Sequence, residues 1–162
     1  MLTRRSLKGH RRADLESSDL EMLVVEVVSS NLFVCVFYGP PVSVTSSVPA
    51  LIEHLQNFPQ AVISRCIIMG DFNTPKVDCD SETSTVTHGS ILLQACKEFC
   101  WKQIVNFPTR KENTLDLIFV PITFPCFSVL AVSPPVTSCD HYGLELLASV
   151  RRTRPRLLKK QR

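Results

Sequence analysis

The 162-residue chain is 44% hydrophobic with only five glycines, which excludes a disordered polymer and suits one domain with a real core. Its net charge of +3 is unevenly spread: residues 1–12 hold five Lys/Arg, residues 151–162 hold seven, and all fifteen acids lie between them. The body from 13 to 150 sets six bases against fifteen acids, a net of −9, so an acidic globule with two basic ends is expected.

In chain order, residues 22–28 (MLVVEVV) and 32–38 (LFVCVFY) are β-branched and aromatic runs split by Ser29-Ser30-Asn31. They read as an antiparallel hairpin, stopped by Gly39-Pro40-Pro41. From Ser47 onward, Val48, Leu51, Ile52, Leu55 and Phe58 recur at helical spacing, with a serine cap and Pro49 suited to the first turn. Residues 65–69 form a buried strand. The polar stretch 74–88 carries Asp78, Asp80 and Glu82, but it lacks the glycine and bidentate glutamate of a calcium loop and reads as a solvated loop. A second helix spans 89–100, with Ile91, Leu92, Ala95, Cys96 and Phe99 on one face. Strands follow near 103–105, at 115–120, near 127–132 and at 143–150. Helices and strands alternate early and strands dominate late, which points to a layered α/β sandwich.

The seven cysteines are odd in number and form no CxxC pair, and Cys35 and Cys66 sit inside apolar strands. That pattern suits a reducing, intracellular compartment, nuclear or cytoplasmic, better than a disulfide scaffold. The four histidines do not fall at zinc-ligand spacing. No apolar run approaches the ~18 residues of a membrane span, and no apolar segment follows the basic start as a secretory signal requires. For the basic ends, solubility or disorder stands against a role on nucleic acid.

Three polar groups interrupt strand ends. Asp71 and Asn73 follow the strand at 65–69, Asp116 lies at the second position of another strand, and Asp140-His141 precedes the last. Singly, each has a plain reading: a turn former, an Asx-turn, a buried ion-pair partner, a packed surface histidine. Together, "IIMGDFN", "NTLDLIFV" and "SCDHYG" resemble the three carboxy-terminal motifs of the endonuclease/exonuclease/phosphatase superfamily. The text between them, "ILLQACKEFCWKQIVNFPTRKENTLDLIFV", and "LFVCVFYGPP" before the first helix resemble the endonuclease domain of non-LTR (LINE-type) retrotransposons, over about residues 20 to 147.

The resemblance implies an α/β fold, a DNase I-like layered β-sandwich flanked by helices, with residues 21–150 as the domain, 1–20 as a basic leader and 151–162 as a basic tail. It implies Mg²⁺- or Mn²⁺-dependent hydrolysis of a DNA phosphodiester, with DNA as partner and neither a membrane nor an obligate protein partner. By carry-over, Asp71 orients or deprotonates the attacking water, and Asn73 bonds the phosphate or that water. His141 contacts a non-bridging oxygen, Asp116 holds the imidazole, and Asp140 binds the metal. Two departures are visible. Cys139 stands where the family has serine, and the family's strand asparagine and metal-binding glutamate lie ahead of everything matched. Glu16, Glu21 and Glu26 do not stand in that context. The chain is therefore expected to be the carboxy-terminal portion of the domain, incomplete at its amino-terminal side, with little or no catalysis. The alternatives are a non-catalytic remnant that binds nucleic acid through its basic ends, and a phosphatase of the same superfamily.

Overall fold

The structure is a computed structural model and describes residues 8–75, 77–78, 82–134 and 138–149. Residues 1–7 and 151–162, which hold most of the basic ends, lie outside the described residues, as do Cys79 and Asp80 of the acidic loop. Strand β1 (Gly9–Arg11) and a 3-10 turn at Ala13–Leu15 precede the hairpin β2 (Glu21–Val27) and β3 (Leu32–Tyr38). Helix α1 (Val44–Gln56) and the short α2 (Gln60–Ile63) cross to β4 (Cys66–Asp71). A small hairpin, β5 (Val77–Asp78) and β6 (Thr83–Ser84), leads to α3 (Thr87–Glu98), then β7 (Trp101–Gln103), β8 (Asp116–Pro121), β9 (Cys126–Val132) and β10 (Gly143–Ala148).

Six strands make one sheet in the order β1-β2-β3-β4-β8-β7, and β9 and β10 form a separate antiparallel pair. Among the described strands only β3 and β4 run parallel, and the helical crossover between them is what a parallel pair requires. Alternation decides which layer each side chain joins. Val24, Cys35, Phe37, Cys66, Ile68, Leu117 and Phe119 face the helices and meet Val48, Leu51, Leu55, Leu92 and Ala95. The intervening Ile67, Ile118 and Val120 face β9 and β10, where Val129, Leu144 and Leu146 pack on them. Burying each such side chain contributes about 1.5–3 kcal/mol, so both faces stabilise the sheet. On the second face, a groove of about 820 Å³ lies between the layers, with Leu23 and Val36 on its floor and Leu144 and Leu146 on its wall.

Several boundaries differ from the sequence reading. Residues 9–11, placed in a leader, pair with β2 in register from Gly9 opposite Val27, and Leu15 is buried. Helix α1 begins at Val44 rather than near Ser47, because Val44 is buried and extends the stripe of Val48, Leu51, Ile52 and Leu55 back by one turn. Ser43 precedes it without a side-chain capping bond, and Pro49 falls inside the helix instead of its first turn. Helix α3 starts at Thr87 and ends at Glu98, where Cys100 adopts a left-handed φ of 53° just past the end. Strand β4 also runs two residues further than 65–69, through Gly70 to Asp71.

Gly70 explains that extension. Its φ of +146° is open to glycine and strained for any other residue. A Cβ at this position would lie 1.8 Å from the Phe37 carbonyl oxygen on the neighbouring strand. The missing side chain lets β4 run beside β3 as far as Tyr38, and that brings Asp71 into the ladder.

Candidate active site at the end of the six-stranded sheet

Register builds the site. Asp71, the last residue of β4, pairs with Asp116, the first residue of antiparallel β8, and with Tyr38, the last residue of β3. Tyr38 in turn pairs with Glu21 at the start of β2. Register partners project to the same face, so Glu21, Tyr38, Asp71 and Asp116 form one row at one end of the sheet. The parity of Met69 and Ile118 puts that row on the face covered by β9 and β10, and His141 arrives there in the loop just before β10.

Three of the residues singled out in the sequence converge. His141 Nδ1 lies 2.8 Å from Asp116 Oδ2. A carboxylate only accepts, so Nδ1 carries the proton of this bond and leaves Nε2 facing outward from the pair. One ligand atom from each of Asp71, Asp116 and His141 falls within 4.8 Å of the others, and all three side chains are half-buried. Burial pushes the Asp71 carboxyl above its ordinary range. The Asp116 carboxylate adds to that shift, while the Asn73 N–H and the His141 ring oppose it. Two hard carboxylate oxygens gathered on this scale fit a small divalent cation that keeps part of its water shell.

Asn73 is held close by. Its backbone N–H donates to Asp71 Oδ1 at 3.0 Å, and its Nδ2 donates to the Gly39 carbonyl at 3.0 Å. Its φ of +44° is one that asparagine tolerates better than most residues. The side chain is therefore anchored by its amide nitrogen, which also bonds the Asp71 carboxylate, with the carbonyl oxygen left to interact. Asp140 is not among the three clustered residues. Its Oδ2 accepts from Arg110 Nε at 2.7 Å, and that contact holds its carboxyl below the usual range. Cys139 Sγ lies 3.6 Å from the His141 carbonyl, a weak bond that holds its loop locally.

The three glutamates noted in the sequence also have places. Glu16 accepts from Arg11 and from the Val24 N–H, and Glu26 pairs with Arg12, both away from the cluster. Glu21 is in the sheet-end row, two strands beyond Asp71. Sequence reasoning missed Tyr38, although its parity with Val34 and Val36 and its position at a strand end could have revealed it. It also missed Thr109 and Arg110, for which no periodic signal existed. Among the described residues, no helix is long and apolar enough to cross a membrane.

A mixed sandwich thus carries an acid–acid–histidine cluster at the ends of β4 and β8. Residues 32–145 match the model of the Endonuclease-reverse transcriptase family, and the chain belongs to that family within the endonuclease/exonuclease/phosphatase superfamily. The fold is similar to the endonuclease domain of TRAS1, a telomere-specific non-LTR retrotransposon, with a TM-score of 0.69 at 16% identity over 90% of this chain and 69% of that one. Weaker likenesses are the cytolethal distending toxin of Haemophilus ducreyi (TM-score 0.48, 15% identity, 82% of this chain and 55% of that one). Another is a mannosyl-6-phosphatase of Bacteroides thetaiotaomicron (TM-score 0.45, 14% identity, 78% and 55%). No curated protein matches the sequence.

Proposed function

We propose that this domain hydrolyses DNA phosphodiester bonds with Mg²⁺ or Mn²⁺, as an endonuclease of retrotransposon type. The observation that carries the reading is the convergence of Asp71, Asp116 and His141, from three separate parts of the chain, on one half-buried patch. Family membership supports nucleic acid as the substrate class. Cys35, Cys66, Cys100 and Cys139 without disulfides suit an intracellular, reducing setting.

The roles follow from chemistry. A phosphodiester is anionic and repels hydroxide, so the site needs positive charge at the phosphate and a base beside the water. When bound, a divalent cation supplies that charge and makes its water more acidic. Asp71, with Asp116 and the adjacent Asp140, would hold it. Before a cation binds, burial pushes the Asp71 carboxyl upward. It orients the attacking water and takes its proton. Asn73 keeps its carbonyl oxygen to accept from that water. His141 presents Nε2 to a non-bridging oxygen, and Asp116 holds the ring in the required orientation through Nδ1. Tyr38, 40% exposed beside Asp71, offers a phenol hydroxyl and an aromatic edge to the substrate.

A second reading, a non-catalytic remnant, is favoured by the ion pair between Asp140 and Arg110 and by the absence of any glutamate from the cluster among the described residues. Titration of the purified chain with Mn²⁺, followed by electron paramagnetic resonance, separates the two. Saturable binding that weakens in Asp71→Ala and Asp116→Asn is the expected result. No saturable binding would favour the remnant.

A further inference from the structure

Thr109 is fully buried and lies in the turn before β8. Its Oγ1 accepts two backbone N–H bonds, from Leu115 and from Asp116, each at 3.0 Å. Its own N–H donates to the Asn113 carbonyl at 2.9 Å, and its carbonyl accepts from the Tyr142 N–H at 2.8 Å. One residue therefore ties together the strand that carries Asp116 and the loop that carries His141. The Asp116–His141 bond closes the third side of this triangle.

We infer that Thr109 is a positioning residue: it sets where Asp116 and His141 meet, and it touches neither water nor substrate. The inference builds on the proposed site. Hydroxyl chemistry is essential to it, because a side-chain oxygen with two lone pairs can accept both strand-entry N–H groups. Valine has the same shape but would leave two buried donors unpaired, and the start of β8 would move to find partners. Serine keeps the acceptor. The exposed Arg110–Asp140 pair, 39% and 51% accessible, is too screened to hold the histidine loop alone.

Two measurements that need no catalysis test this. In the natural chain, the Asp116 and Tyr142 amides should exchange with deuterium at least ~10-fold more slowly than the Lys111 and Glu112 amides of the same turn. Exchange of Tyr142 at the rate of the open turn would overturn the inference. The second readout is the imidazole ¹⁵N pattern of His141 at fixed pH, assigned by its loss in His141→Gln. Thr109→Val should abolish the Nδ1-protonated pattern, and Thr109→Ser should retain it. Val48→Ala, a core destabiliser away from the site, should retain it as well. Loss in Thr109→Ser as complete as in Thr109→Val, or retention in Thr109→Val, would overturn the proposal. If the natural chain fails to nick plasmid while the His141 pattern still follows the hydroxyl, the nuclease reading fails and the positioning role stands.

Discussion

Asp71 and Asp116 face each other as register partners on antiparallel strands β4 and β8, so two carboxylates share one face of the sheet at one end. Directly opposed like charges destabilise a ladder. Burial and this neighbour together raise the Asp71 carboxyl above its ordinary range. A folded-state value above the unfolded one means that the folded chain holds the proton more tightly. Stability is then lost as pH rises from the ordinary aspartate value through the raised one. Asp71→Asn keeps the acceptor for the Asn73 N–H and removes the charge. It should melt about 2–4 °C above the natural chain at pH 7, with the gap closing below the ordinary aspartate value. Calorimetry across pH checks this, and a lower melting temperature at pH 7 would contradict the charge argument.

Gly70→Ala tests how the site is delivered. The added Cβ meets the Phe37 carbonyl at 1.8 Å in a backbone conformation that alanine rarely adopts. β3 and β4 would have to separate just where Asp71 is presented. Urea unfolding should show a loss of about 3 kcal/mol or more, or no soluble folded protein. Stability close to that of the natural chain would mean that β4 does not run beside β3 as described.

The Asp116–His141 bond joins side chains only 18% and 21% exposed, so it is shielded more than a surface pair. A double-mutant cycle with Asp116→Asn and His141→Gln should return a coupling of about 1 kcal/mol in unfolding free energy near neutral pH. Strict additivity would place the two groups apart in solution.

Arg110 occupies one oxygen of Asp140, the aspartate nearest His141 in sequence. A cation recruited by Asp140 competes with that guanidinium. Arg110→Gln should therefore tighten Mn²⁺ binding, by about threefold or more at low salt. Unchanged affinity would remove Asp140 from the metal site, leaving Asp71 and Asp116 to hold it.

Much of this site was legible before any coordinates. Asp71, Asn73, Asp116 and His141 announced themselves as polar residues at the ends of apolar runs, and their motifs carried the family. The β2–β3 hairpin and β8 followed from alternation of β-branched residues. Other features could not be read, because they depend on contacts between distant segments. Val44 joins α1 only because the sheet buries it. Residues 9–11 become strand only because β2 offers an open edge. Tyr38 belongs to the sheet-end row by register, which single-strand patterns do not specify. Thr109 and the Arg110–Asp140 pair depend on a turn meeting a loop about 30 residues away. The place of Asp140 outside the three-residue cluster likewise needed the Arg110 side chain to be seen.

The most direct test is nicking of supercoiled plasmid by the natural chain, Asp71→Ala and His141→Ala, each with Mg²⁺ and with chelator. The expected result is slow nicking by the natural chain that requires Mg²⁺ and disappears in both variants. Equal activity in all three proteins, nicking that survives chelation, or no nicking by the natural chain at high protein concentration would contradict a working site at Asp71 and His141.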